Sequence, residues 1–102
     1  MNAADEEITM AFMIYCLDKP DHLEVRMANR PAHVEHLIAH EAHLITAGPL
    51  LDGDRMIGSL LVVDFTDRKD VDAFVAADPY SKAGLFQSVT IKPYKNVFPR
   101  GK

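Results

Sequence analysis

Two ten-residue apolar runs and two stretches of helically spaced apolar residues organise the chain. Ile8 to Leu17 reads ITMAFMIYCL, rich in branched and aromatic side chains, and predicts a strand. Asp18-Lys19-Pro20-Asp21 reads as a turn. Asp21 with Glu24 has the form of a capping box, so a helix is expected from about His22. Arg30-Pro31 is expected to break it, because proline holds the preceding residue away from helical dihedrals. A second helix is then expected from Pro31 to about Ala42, with proline in its first turn. Val34, Leu37 and Ile38, followed by Leu44 or Ile45, make its apolar face. Leu44 to Ala47 is short and β-branched and predicts a strand running into Gly48-Pro49. Asp52-Gly53 is a hairpin signal, and Met56 to Phe65 is a second strong strand. Thr66 to Asp70 begins a helix with acids in the first turn, where they suit the helix dipole. Val71, Phe74 and Val75 form its buried stripe, and Pro79 ends it. Asp78 to Leu85 reads as a turn or short helix, and Phe86 to Tyr94 as the last strand. The order β-α-β-β-α-β, two split β-α-β units, predicts an α+β fold of ferredoxin-like type.

The strands carry one anomaly. A sheet with one wet face alternates apolar with polar residues. Here Met10, Phe12, Ile14 and Cys16 lie on one face of the first strand, and Ala11, Met13, Tyr15 and Leu17 on the other. Ile57, Leu61, Val63 and Phe65 similarly oppose Leu60 and Val62. Helices cover one face in this topology. The other calls for a second sheet, and the expectation is a homodimer with sheets face to face. The alternative is a ligand cavity against that face in a monomer. At about 25 cal/mol per Å² of apolar area, even a small sheet contact outweighs ordinary surface interactions.

Composition narrows the function. The 102 residues form one expected domain, 8–98, with a flexible tail at 1–7 and a C-terminal tail at 99–102. Hydrophobic residues make up 48%, enough to fold around a core. Fifteen acids against eleven bases give a net charge of −4, which argues against nucleic acid as a partner. No apolar stretch reaches the roughly 20 residues of a membrane helix. The acidic start, Met1 to Glu7, is unlike a secretory leader, so a cytoplasmic, soluble protein is expected. A single cysteine, Cys16, leaves no intrachain disulfide. It is expected to be buried and inert.

Five motifs in register carry a resemblance. They are Arg30-Pro31-Ala32-His33, Ala47-Gly48-Pro49-Leu50, Gly58-Ser59, Asp78-Pro79-Tyr80 with Ala83-Gly84, and Ile91-Lys92-Pro93-Tyr94. In this order and spacing the chain resembles the YciI-like (YCII-related) family of small bacterial proteins, over roughly Met10 to Phe98. The resemblance implies a ferredoxin-like fold, a dimeric α+β barrel and an active site built around a histidine and an aspartate. One relative acts as a dehydrochlorinase in chloroaromatic degradation. By motif match the histidine is His33 and the aspartate Asp78, while Arg30 and Ser59 fall on other recurrent positions. The segments from His33 to Gly48 and from Pro49 to Gly58 are shorter here than in many members. His43 stands where members often have glycine.

The chemistry of these positions is specific. In the first turn of the expected second helix, His33 would feel the helix dipole, which lowers its pKa, and Asp78, which raises it. Such a histidine exchanges protons near neutral pH as a general acid or base, with Asp78 orienting the ring. Arg30 suits an anionic substrate or, equally, a salt bridge on the surface or across a dimer. Ser59, a hydroxyl among apolar neighbours, needs a partner in the ligand or in His33. Tyr80 suits a pocket wall with a polar tip, and Tyr15 suits core packing. His33, His36, His40 and His43 share one helix face and raise a metal hypothesis, but the supporting carboxylates are missing, and a hydrated polar face is the reading adopted. No metal site and no cofactor are assigned. The expected protein is a homodimer with a small-molecule ligand, acting as a lyase- or isomerase-type acid/base enzyme. The rival reading is a non-catalytic binding or regulatory dimer that uses the same pocket.

Overall fold

The computed structural model describes residues 9–99. The expected tail at residues 1–7 lies outside the described residues. Four strands, β1 (Thr9–Asp18), β2 (Leu44–Asp52), β3 (Arg55–Val63) and β4 (Phe86–Asn96), form one antiparallel sheet in the order β2-β3-β1-β4. The helices are α1 (Leu23–Ala39), α2 (Arg68–Ala77) and the single turn α3 (Pro79–Lys82), with a 3-10 turn at Glu41–His43. This is the expected β-α-β-β-α-β ferredoxin-like fold, of dimeric α+β barrel type.

The helices pack on one sheet face. Ile14, Cys16, Leu61, Val63, Val71 and Phe74 form the buried core, and Leu37 and Phe86 pack against it. Pairing of Ile14 with Leu61 and of Cys16 with Ser59 brings these side chains to that face. The opposite face carries Met13, Tyr15, Leu17, Leu60 and Val62. Tyr15 and Leu60 there stay 38% and 37% exposed, so Tyr15 is in neither the core nor a pocket wall. Among the described residues no helix is long and apolar enough to cross a membrane.

The helical segment departs from expectation. Helix α1 runs unbroken through Pro31. A mid-helix proline frees the carbonyl four residues earlier, here Met27. Met27 and Pro31 are exposed, so water can satisfy that carbonyl and the helix continues. The helix ends at Ala39 rather than about Ala42. Ile38 is 60% exposed and is not part of the apolar face. Asp21 is not the cap either. Its backbone is left-handed at φ 61°, whereas a capping residue is extended, and His22 precedes the helix without a side-chain bond to it. Asp67 does cap α2, accepting from the Lys69 backbone N–H.

Strand β2 is longer than expected because it continues through Gly48 and Pro49. Pro49 sits opposite Ser59 on an edge strand, and the edge is where a residue lacking an N–H is tolerated. Gly53 closes the β2–β3 hairpin at φ 62°. Gly58 has a different reason: any Cβ there would collide with the Cys16 carbonyl of β1.

Candidate active site

The interior of α1 supplies the central imidazole. His33 lies roughly three turns into the continuous helix. The dipole of a helix start therefore does not reach it, which corrects the expectation that it sits in a first turn. Its orientation comes from Asp78 instead. Nδ1 is 2.9 and 3.0 Å from the two Asp78 carboxylate oxygens. An ionised carboxylate only accepts, so Nδ1–H donates to it, and in the neutral ring this tautomer leaves the lone pair on Nε2. Among the described residues Nε2 has no hydrogen-bond partner, and it is not sealed from the cavity that His33 lines.

Local sequence explains the carboxylate. Asp78 caps α3, with Oδ1 accepting the Tyr80 backbone N–H at 2.9 Å. Pro79 occupies the first helical position, where its fixed φ fits and no N–H is needed. Asp-Pro is thus a working turn, and the turn aims the carboxylate at His33. Tyr80 then stacks on His33, with ring centroids 3.9 Å apart and planes 14° from parallel. Tyr80 is buried, and burial raises its pKa despite the opposing pull of Arg26 and Arg30. Its phenol stays protonated at neutral pH.

Arg26 is the residue the sequence did not single out. It is 2% exposed. Nε donates to Asp18 Oδ2 at 2.7 Å and Nη2 to Asp18 Oδ1 at 3.0 Å. Nη2 also donates to Ser59 Oγ at 2.8 Å. The guanidinium carbon lies 4.6 Å from the Tyr80 ring centroid. Burial works against this charge, but Asp18, with Tyr80 adding, outweighs it and holds the Arg26 pKa above its ordinary value. The available signal was phase: Arg26, Arg30, His33 and Leu37 share one stripe of α1, and all line the cavity.

The cavity measures about 130 Å³. An engineered cavity of about 150 Å³ holds benzene, so the scale is that of one small ring. Arg26, His33, Ser59 and Tyr80 supply polar groups, and Val34, Leu37, Ala47, Pro49, Met56 and Leu61 supply apolar walls. Arg30 also lines it, from an exposed position. The structure therefore brings His33, Asp78, Ser59, Tyr80 and Arg30 to one place, with Arg26 and Asp18 beside them. Cys16 lies close by, and burial, with Asp78 and Asp18 adding, pushes its thiol up to about 12.

The remaining histidines of the stripe diverge. His36 Nε2 donates to the Phe74 carbonyl at 2.9 Å, and His40 Nδ1 donates to the His36 carbonyl. His43, in the 3-10 turn, pairs through Nδ1 with Asp64 at 3.0 Å. Its backbone is not left-handed; among described non-glycine residues only Asp21 has positive φ. Among the described residues no three His, Cys, Asp or Glu side chains are placed to share a metal ion.

Known proteins share the sequence pattern and the fold of this chain. The family model of the YCII-related domain matches residues 10–95. Protein YciI of Escherichia coli O6:H1 is 38% identical, covering 87% of this chain and 100% of the relative. An uncharacterised protein of Haemophilus influenzae is 34% identical over the same shares. Among solved structures, the 5-chloro-2-hydroxyhydroquinone dehydrochlorinase of Burkholderia phenoliruptrix, in complex with 2,5-dihydroxybenzoquinone, superposes with TM-score 0.78 at 33% identity, covering 82% of this chain and 92% of that one. An antibiotic biosynthesis monooxygenase shares the fold alone, with TM-score 0.53 at 13% identity, covering 84% of this chain and 96% of the other. The chain belongs to the YCII-related family.

Proposed function

We propose that this protein is a cytoplasmic homodimer that carries out acid/base chemistry on a small planar molecule, with His33 as the proton carrier and Asp78 as its orienter. The observation that carries this reading is the His33–Asp78 contact, which leaves Nε2 unpartnered on a ring-sized cavity. In the forward step Nε2 takes a proton from an acidic O–H or C–H of the ligand, and the electron pair passes into the conjugated system. Return of the proton at another atom completes an isomerisation. Departure of a leaving group with its electron pair completes an elimination, the class to which the dehydrochlorinase neighbour belongs. Arg30 at the cavity wall suits the negative charge of such a ligand, and Tyr80 offers a flat ring beside it. The bare apolar sheet face supports the dimer, and the lone Cys16 supports the compartment.

Titration with 2,5-dihydroxybenzoquinone and turnover of chlorinated hydroxyhydroquinones, on wild type, His33→Ala and Asp78→Asn, test the reading. Turnover that collapses in both variants while the quinone still binds supports catalysis. Binding without turnover in the wild type across a substrate screen overturns catalysis in favour of the non-catalytic ligand-binding dimer.

A further inference from the structure

Hydrogen-bond direction at Ser59 is set without ambiguity. A guanidinium has donors only. Arg26 uses its Nε hydrogen and one Nη2 hydrogen on Asp18, and the other Nη2 hydrogen goes to Ser59 Oγ. Ser59 is therefore the acceptor in that bond, and its own hydrogen must point elsewhere. Ser59 is 3% exposed and lines the cavity, and among the described residues its hydroxyl hydrogen meets no acceptor. A buried hydroxyl with an unmet donor is unfavourable unless something in the cavity accepts from it.

We propose that the buried Asp18–Arg26 pair is a positioning device that commits the Ser59 O–H to donate into the cavity, to a carbonyl- or phenolate-type oxygen of the ligand on which His33 acts. This rests on the acid/base reading of the site. It adds the ligand class: a planar compound with an oxygen that gains negative charge when Nε2 removes its proton. The electron pair left behind delocalises onto that oxygen. Ser59 donates a hydrogen bond there and transfers no proton. Because Arg26 polarises the hydroxyl through its oxygen, the donated bond is stronger than one from an isolated serine. Asp18 fixes the guanidinium by two contacts, so its role reaches the ligand only through Arg26 and Ser59.

A double-mutant cycle with 2,5-dihydroxybenzoquinone as the probe tests the device. Ser59→Ala is expected to weaken binding roughly tenfold or more, as for a lost hydrogen bond to a charged group. Ser59→Thr, which keeps the hydroxyl, is expected to restore it. Asp18→Asn is expected to weaken binding when Ser59 is present and to add little in the Ser59→Ala background. Equal effects of Asp18→Asn in both backgrounds, or full affinity in Ser59→Ala, would overturn the proposal. Neutron diffraction of the ligand-free, deuterium-exchanged wild type provides a measurement independent of any ligand. A deuteron on Ser59 Oγ directed into the cavity supports the device, and one directed at a protein oxygen overturns it. If the wild type does not bind the quinone, that counts against the acid/base reading, and the neutron map alone decides on Ser59.

Discussion

The imidazole of His33 lies flat on the ring of Tyr80, 3.9 Å between centroids, while its edge meets Asp78 two residues before that tyrosine. One short segment thus clamps the ring from its face and its edge. The Tyr80 backbone N–H holds the carboxylate that holds the imidazole.

Replacing Asp78 with Asn should separate orientation from folding. Asn caps a helix about as well as Asp, so stability should fall by under about 2 kcal/mol. The Asn amide donors or carbonyl then face Nδ1 in place of an ionised acceptor, and the Nε2–H tautomer becomes populated. Imidazole 15N shifts of His33 report the tautomer, and any turnover should drop by about 10²–10⁴.

Cys16 should be silent in the folded protein. With its thiol pushed up to about 12 by burial and the neighbouring carboxylates, almost no thiolate exists at pH 8. Alkylation by iodoacetamide should proceed only as fast as the protein opens, and should become rapid in denaturant. Fast labelling under native conditions would contradict the burial.

Stability should depend on pH through His36. Burial lowers its pKa below 6.5, with the bond to the Phe74 carbonyl opposing the shift. A histidine depressed in the folded state binds fewer protons there than in the unfolded chain. Its contribution is complete above about pH 6.5 and is lost as pH falls toward the folded value. Urea midpoints measured from pH 8 to pH 5 should therefore decline on the acid side. His36→Gln, which keeps an N–H donor, should flatten that decline.

Gly58→Ala should destabilise the fold by about 1–3 kcal/mol, as expected for overpacking. The added methyl meets the Cys16 carbonyl, so β1 and β3 must separate next to Ser59. Thermal unfolding reads the loss, and weaker quinone binding should accompany it.

The bare sheet face should hold two copies together. Sedimentation velocity is expected to show twice 11.4 kDa for the wild type and 11.4 kDa for the Tyr15→Glu, Leu60→Glu double variant. A wild-type monomer at micromolar concentration would remove the dimer from the proposal.

Apolar spacing is local, so it was legible along the chain. It marked the β-α-β-β-α-β order, the two-faced apolar sheet and the Asp52-Gly53 hairpin, because strand and helix periods depend on neighbours two to four residues apart. Motif order pointed to His33, Asp78, Ser59, Tyr80 and Arg30. Spacing along the chain does not say that residues 45 apart meet, as His33 and Asp78 do. That contact depends on where α1 lies relative to α3 on the sheet. Pro31 reads as a break until its neighbours are known to face water, and Pro49 reads as an end until β2 is known to be an edge. Nothing along the chain marks Arg26, because arginine is almost never fully buried unless paired, and its pairing is not visible in sequence. Its partners, Asp18 at the end of β1 and Ser59 on β3, come within reach only when both strands pack beneath α1. Local periods come from the order of residues, whereas the burial and pairing of a charge come from how the elements pack.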